Sequence, residues 1–503
     1  MRIKIDPVTR IEGHLSVSLE VEDGKVAAAY CAGTMFRGFE LILRGRDPLD
    51  ATQITQRICG VCPVSHGIAA SLALEEALGA QPSENGRLLR NLILGANYIQ
   101  SHILHFYHLS ALDFVDITAV AAYTGRDPLL VAVRDWVKAQ LTRKVINPAA
   151  PFLPRYDGDY IKDPDINIGA IHHYLQALQM RSLAHEMLAI FGGKAPHVAA
   201  LVAGGVTATA TVDKIEAYRS RLSELRTFID EAYIPDVVAV AKAYPQYAAL
   251  GRGPSTLLSY GVFPQDSQGS SKLLVPGVYA DGQVQPLDAS RISQDTGHSW
   301  FSSASGAHPT NGRTDPAPAK ADAYSWVKAP RYDGAVVEVG PLARVVVTHL
   351  SGANPSLSAL LTGALTELSL PLDAVFSVLG RHLARALECK LVAEACDSWL
   401  EALQPGQPSV SPAYVIPQSA NGAGLMEAPR GALGHWVSIA NQVIEHYECV
   451  VPTTWNCSPR DDRGQPGAIE QALVGVPVAD KENPLEAMRV VRSFDPCLAC
   501  AVH

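Results

Sequence analysis

Two Cys-x-x-Cys pairs stand at opposite ends of the chain, Cys59-Gly-Val-Cys62 near the start and Cys497-Leu-Ala-Cys500 three residues from the end. Such a turn points two thiolates at one spot. Two turns supply four sulfurs, which suits Zn²⁺, an iron–sulfur centre or a soft transition metal. Structural zinc sites usually close a short loop, whereas here almost the whole chain lies between the pairs, so one fold must bring its ends together. On spacing alone, zinc, a redox metal and two independent thiol pairs all stay open. The other five cysteines are scattered, and an odd total of nine in 503 residues argues for metal or redox chemistry ahead of a disulfide framework.

The rest of the composition bounds the answer. With 48% hydrophobic residues there is material for a large core. Length alone suggests about three domains, but no repeat or linker stands out, so residues 1–503 are expected to form one unit. The net charge of −9 and the lack of a Lys/Arg-rich run argue against nucleic acid or an anionic membrane as the main partner. Charged residues make up 18%, below the roughly 25% of an average domain, so part of the surface is expected to be shared with a partner. The longest uncharged stretch, Val345 to Thr366, carries His349, Asn354 and Pro355 and is no membrane span. Met1 to Pro7 reaches an acid and a proline before an apolar core could form, so no signal peptide is expected, which by itself predicts the cytoplasm.

Local patterns give the fold class. Leu15, Val17, Leu19 and Val21 alternate with polar residues, Asp23-Gly24 makes a tight turn, and Val26 to Tyr30 returns: a hairpin over about 15–31. A helix is expected over Ser65 to Leu78, stopped by Gly79, and a longer one after the capping Ser83, with Leu88, Leu89, Leu92, Ile93, Ala96, Ile99 and Ile103 on its core face. Similar spacing recurs at His172–Phe191, Val212–Ala232 and Ser356–Leu403. Residues 251–330, rich in Gly, Ser, Pro and Asp, read as a loop-rich insertion with irregular β structure. The expected class is α+β, predominantly helical: a long-helix bundle with peripheral β-hairpins.

The flanks of the cysteine pairs narrow the chemistry. Arg57-Ile-Cys59-Gly-Val-Cys62-Pro-Val-Ser-His66 and Asp495-Pro-Cys497-Leu-Ala-Cys500-Ala-Val-His503 resemble the two signatures of the large subunit of nickel–iron hydrogenases. The resemblance extends to Arg10-Ile-Glu12-Gly-His14, Phe36-Arg-Gly-Phe-Glu40, Gly192-Gly-Lys-Ala-Pro-His197, Glu338-Val-Gly-Pro-Leu-Ala-Arg344, Glu427-Ala-Pro-Arg430-Gly and Val451-Pro452-Thr453-Thr-Trp-Asn456, and so runs the length of the chain. A related subunit of respiratory complex I shares the fold without the metal-binding cysteines; all four are present here.

The resemblance implies a set of roles. Nickel would be held by Cys59, Cys62, Cys497 and Cys500, with Cys62 and Cys500 bridging to an iron that carries CO and cyanide. Soft thiolates suit a metal that changes oxidation state, and a metal-bound thiolate can take a proton. Heterolytic cleavage of H₂ would put that proton on Cys497, and Glu12 would carry it outward. An isolated Glu beside Arg10 is otherwise a cap or an ion pair. Arg430 would face the open side of the metals, oriented by Asp495, although an arginine in a Gly-rich loop is more often a plain ion pair. Pro452 and Thr453 would face the diatomic ligands. Glu40, the backbone carbonyl of Cys449 and His503 would hold magnesium or a second iron. His66 and His197 match positions near the iron and near a partner's cluster, where lone histidines are otherwise structural.

The family also implies a partner, a small subunit carrying the iron–sulfur clusters that this chain has no second cysteine set to bind. In many members that subunit bears a twin-arginine signal and carries the large subunit across the membrane, so a periplasmic location by co-export is expected, with the cytoplasm as the alternative and membrane contact only through partners. His503 as last residue fits a mature form cleaved after this histidine. The Ser-His-Ile-Leu-His-Phe-Tyr block looks most like periplasmic uptake types, including relatives with selenocysteine where Cys497 stands. The rival readings are a hydrogen sensor with the same metal site and a structural zinc protein. His102, His105 and His108 form a His-x-x-His-x-x-His run, but at 100° per residue the first and last point about 120° apart on a helix and cannot share a metal; they read as packing or interface residues. Ser101 stands where the family often has Asp, which leaves the surroundings of Arg430 open.

Overall fold

The computed structural model describes residues 1–143, 159–411 and 414–503. Its centre is the helix Glu84–Ile103, capped by the Ser83 hydroxyl, which accepts from Gly86 N–H at 3.2 Å. The helix is buried on nearly every side, as expected of a core helix enclosed by others. Pro164–Gly192 and Val378–Ala402 pack against it, and Val212–Phe228 packs on those two. The preceding helix, Pro63–Leu78, ends at Gly79 in the left-handed conformation. Its own outer face is covered by β structure rather than by a further helix.

That β structure is a three-stranded antiparallel meander, Ser419–Ala428, Gly431–Ala440 and Val443–Val450. Strand and helix approach so closely that a Cβ on Gly424 would lie 2.0 Å from the Ala69 carbonyl oxygen, so only glycine fits. Gly- and Ala-rich strands of this kind carry little β propensity, which is why alternation did not reveal the sheet. The N-terminal hairpin forms as the sequence predicts, with Leu15–Glu22 and Lys25–Gly33 joined by Asp23 and Gly24, both at positive φ. Arg2–Ile5 adds a third strand to it.

Two expectations need correction. The pattern over Ser356–Leu403 is two helices, Pro355–Leu368 and Val378–Ala402. Pro371 separates them, because it lacks an N–H and disfavours helix at the residue before it. Residues 251–330 carry more regular β structure than the expected loop-rich insertion. Leu257–Pro264 is buried along nearly its whole length, pairs with Lys272–Ala280, and packs Leu258 and Tyr260 into a second apolar cluster with Trp436 and Trp455. The remainder, around 296–328, is made of turns and isolated bridges, as the composition suggests. Among the described residues no helix is long and apolar enough to cross a membrane.

Candidate metal centre

The two ends of the chain meet as a short parallel bridge between Glu12 and Cys497. Glu12 N–H donates to the Pro496 carbonyl at 3.3 Å, and Leu498 N–H to the Glu12 carbonyl at 2.7 Å. Gly13 makes this approach possible, since a Cβ there would lie 2.5 Å from Ala499 N and its φ is +81°. Arg10 turns away to pair with Asp113 and donates to the Leu109 carbonyl at 3.0 Å. Each cysteine pair also has one member at a helix start: Cys62 caps Pro63–Leu78, and Cys497 caps Leu498–Ala501. The positive end of a helix there favours negative charge.

All four sulfurs of Cys59, Cys62, Cys497 and Cys500 lie within 4.8 Å of one another and are buried. The contacts are 3.5 Å for Cys59–Cys497, 3.3 Å for Cys62–Cys500 and 3.0 Å for Cys497–Cys500, all far longer than a disulfide bond. The three neighbouring sulfurs, Cys497 first, hold the Cys59 thiol well below its usual range, and Val61 N–H supports its sulfur at 3.2 Å. Burial pushes Cys497 and Cys500 well above theirs. One thiolate is therefore easy to form and further ones repel it. A buried cation resolves that conflict, and four soft sulfurs fit nickel, iron or zinc.

Around the quartet, polar groups converge. Glu12 Oε2 accepts from Cys497 Sγ at 3.3 Å and from Ala499 N–H at 3.2 Å, and burial, aided by the Cys59 charge, raises its carboxyl above the ordinary value. Arg430 forms the tip of the hairpin between Ser419–Ala428 and Gly431–Ala440. Burial works against its charge, but Asp495 and the sulfurs of Cys497, Cys62 and Cys59 raise its pKa well above the usual value. Its Nη2 lies 3.0 Å from Asp495 Oδ1, out of line for a hydrogen bond, and its Nη1 donates to Ser101 Oγ at 3.4 Å. A hydroxyl thus stands beside the guanidinium, and Asp495 is its only ion-pairing carboxylate among the described residues. Asp495 itself sits at φ 55°, a strained turn that aims Pro496 and Cys497 inward. Thr453, at the start of Pro452–Asn456, accepts from Cys497 N–H at 2.9 Å, leaving its own proton free to donate.

The hairpin tip is held by Arg344, a residue to which the sequence alone gives no role. Arg344 donates to the carbonyls of Ala428 at 2.9 Å and Pro429 at 2.8 Å while pairing with Glu388 and Glu427. His102 Nε2 meets the same Glu388 at 3.0 Å. His105 and His108 reach the backbone carbonyls of Arg492 and Tyr174 instead, so the three histidines face different partners, and all are buried. The packing half of that expectation holds.

His66 lies with Nε2 3.4 Å from Cys500 Sγ and Nδ1 3.1 Å from His435 Nε2, and His435 Nδ1 lies 2.8 Å from the Tyr447 hydroxyl. Burial holds His66 down to about 3 and His435 well below the usual range. Nothing local in the sequence marked His435 or Tyr447. His197 is half-buried and hydrogen-bonds the Cys59 backbone.

A second cluster joins Glu40, Cys449 and His503. His503 Nε2 lies 3.0 Å from Glu40 Oε1, which also accepts from Cys449 N–H at 2.9 Å. His503 Nδ1 meets the Cys500 carbonyl at 2.5 Å, tying this cluster to the sulfurs. Burial opposes ionisation of Glu40, but Lys328, 3.8 Å away, and His503 outweigh it and hold the carboxyl well below its usual range. Thr314 also donates to Glu40, and Lys328 pairs with Glu448. The Cys449 thiol is pushed well up by burial and by Glu40. A neutral thiol is a poor ligand for a hard cation. A cavity of about 10 Å³ between Phe36, Glu40, Lys328, Cys449, Thr454 and His503 has the size of one water or small ion.

Known proteins resemble this chain over its whole length. The family described as nickel-dependent hydrogenase matches residues 37–503, and a HoxL-like family matches residues 2–32. The periplasmic NiFeSe hydrogenase large subunit of Desulfomicrobium baculatum is 45% identical over 515 residues, covering 100% of this chain and 95% of its own. The hydrogenase-2 large chain of Escherichia coli K12 is 36% identical over 550 residues, covering 100% and 97%. The solved structure of the Desulfomicrobium baculatum NiFeSe hydrogenase superposes with a TM-score of 0.90 at 45% identity and full coverage of both chains. A NiFeSe hydrogenase variant from Desulfovibrio vulgaris Hildenborough gives 0.89 at 46%, covering 100% and 99%. Fold, sulfur quartet and full-length similarity together make this chain a member of the nickel-dependent hydrogenase family, as a large subunit.

Proposed function

We propose that the four sulfurs hold a nickel–iron pair, with Cys62 and Cys500 shared between the metals and Cys59 and Cys497 on nickel alone, and that the chain oxidises H₂ there. When bound, the pair supplies the Lewis acidity and the redox change that splitting H₂ requires. The iron would carry CO and cyanide, with Pro452 and Thr453 as the residues beside them and the Thr453 hydroxyl available to donate to cyanide. The observation that carries the reading is the contact between Cys497 Sγ and Glu12 Oε2 at 3.3 Å at the edge of a buried sulfur quartet. It gives a proton on sulfur a carboxylate to move to, and burial keeps that carboxylate basic enough to accept it.

The other residues divide the remaining work. Arg430 presents a fixed positive charge to the open side of the quartet and polarises what binds there, while Asp495 orients it. His66 donates a hydrogen bond to Cys500, and His197 lies on the path by which electrons leave past Cys59. Glu40, the Cys449 carbonyl and His503 hold a hard cation, magnesium or a second iron, which pins the C-terminal segment carrying Cys497 and Cys500. Electrons pass one at a time to iron–sulfur clusters on a small-subunit partner. Its 45% identity to a periplasmic hydrogenase large subunit supports a periplasmic location reached together with that partner.

Glu12→Gln in the two-subunit enzyme separates proton transfer from assembly. The expected result is full nickel and iron with H/D exchange reduced to background. Unchanged exchange with full metal content would remove Glu12 from the path.

A further inference from the structure

We propose that His435 and Tyr447 are positioning residues for the metal centre, forming with His66 a directed hydrogen-bond chain that ends on the Cys500 sulfur and withdraws electron density from it. The inference rests on the reading of Cys500 as a metal ligand.

The direction follows from what each atom can do. A ligand thiolate only accepts, so the His66 Nε2 at 3.4 Å must carry the proton and donate to Cys500. A neutral imidazole has one N–H, so His66 Nδ1 accepts, and the group that donates to it at 3.1 Å is His435 Nε2–H. His435 Nδ1 is then bare and accepts from the Tyr447 hydroxyl at 2.8 Å. The reverse direction would require a thiol on Cys500 and would leave the Tyr447 proton without an acceptor, since among the described residues this hydroxyl has no other hydrogen bond.

The surroundings argue that the chain is built rather than incidental. His66, His435 and Tyr447 are all buried, and His66 and His435 use both ring nitrogens. The other buried histidines on the helical side, His102, His105, His108 and His382, each leave Nδ1 without a partner. His435 and Tyr447 come from adjacent strands of the meander, and His435 is the register partner of Cys449. The strand that carries Cys449 of the second cluster thus also carries Tyr447, the far end of the chain. Successive hydrogen bonds in a dry interior polarise one another, so the phenol strengthens the donor that finally reaches sulfur.

The test is the infrared CO stretch of the iron in the purified two-subunit enzyme, with nickel content measured alongside. Tyr447→Phe removes one hydroxyl without altering the packing of the ring. His435→Leu removes the donor to His66, and His435→Gln restores a donor in its place. Weaker withdrawal leaves the sulfur and the iron more electron-rich, so the stretch should fall in Tyr447→Phe, fall further in His435→Leu, and return towards the parent position in His435→Gln. An unmoved stretch in both Tyr447→Phe and His435→Leu, with full nickel, overturns the chain. Loss of nickel from His435→Leu would leave Tyr447→Phe to decide alone. No CO band in the parent enzyme would instead overturn the metal assignment beneath it.

Discussion

The sulfur quartet and the Glu40–Cys449–His503 cluster are joined through Cys500 and His503, yet they solve the problem of buried charge in opposite ways. The quartet gathers groups that would all be negative, with Arg430 the nearby protein cation, and so its thiols resist ionising together. The second cluster brings its own cation: Lys328 keeps Glu40 ionised against burial, with His503 hydrogen-bonded to the same carboxylate. The first site therefore depends on metal for its charge balance, whereas the second is already balanced and gains from a cation mainly in rigidity. Under the proposed function the same chain would keep a reactive, electron-rich site beside a structural anchor.

The largest effect expected from breaking this asymmetry is at the quartet. Cys500→Ser should reduce both nickel content and H₂ turnover to background, read by metal analysis and gas uptake, because a hard alkoxide replaces a shared soft donor. Glu12→Gln should keep nickel and lower exchange by about 10² to 10⁴-fold, the usual worth of one placed acid or base. Arg430→Lys should lower turnover by about 10² to 10³-fold with metals retained, since a point charge replaces a planar fork. Near-normal turnover would make that arginine a plain ion pair.

At the second cluster the expected effect is on stability. Glu40→Gln removes the charged acceptor of His503 and of Cys449 N–H while Lys328 keeps Glu448, so the cost should be that of a hydrogen bond to a charged group, about 1.5–3 kcal/mol. Thermal unfolding of the variant should show it. A smaller, pH-dependent effect comes from a third buried carboxylate, Glu470, which burial raises to about 7 against the hydrogen bonds from Cys31 N–H, Tyr324 and Gly467 N–H. Its folded value lies above its ordinary 4.5, so its contribution is fully present below that value and is lost as pH rises through 7. Stability should decline across that window by on the order of 1 kcal/mol per pH unit, and the decline should disappear in Glu470→Gln.

What the sequence disclosed tracks how far each signal is local. The hairpin, the Ser83 cap and the Gly79 stop are written in adjacent residues and appear where expected. Cys59, Cys62, Cys497 and Cys500 could be paired only because both motifs are short and their flanks resemble a family. The break at Pro371 was hidden by helical spacing on both sides of it. The meander was hidden because its glycines and alanines serve close approach to a helix, not alternation. His435 and Tyr447 gave no signal, since their importance lies in reaching His66 from a distant strand. The same holds for Lys328, whose role follows from facing Glu40 and Glu448 across the fold.

The central claim is that the quartet holds a nickel–iron pair and not a closed zinc site. Infrared spectroscopy of the purified two-subunit enzyme tests it most directly, because no other ligand set considered for these sulfurs absorbs where iron-bound CO and cyanide do. The account predicts such bands, shifting under H₂, in protein that contains nickel. Zinc-loaded, nickel-free protein without those bands would contradict it and make the four cysteines a structural clasp.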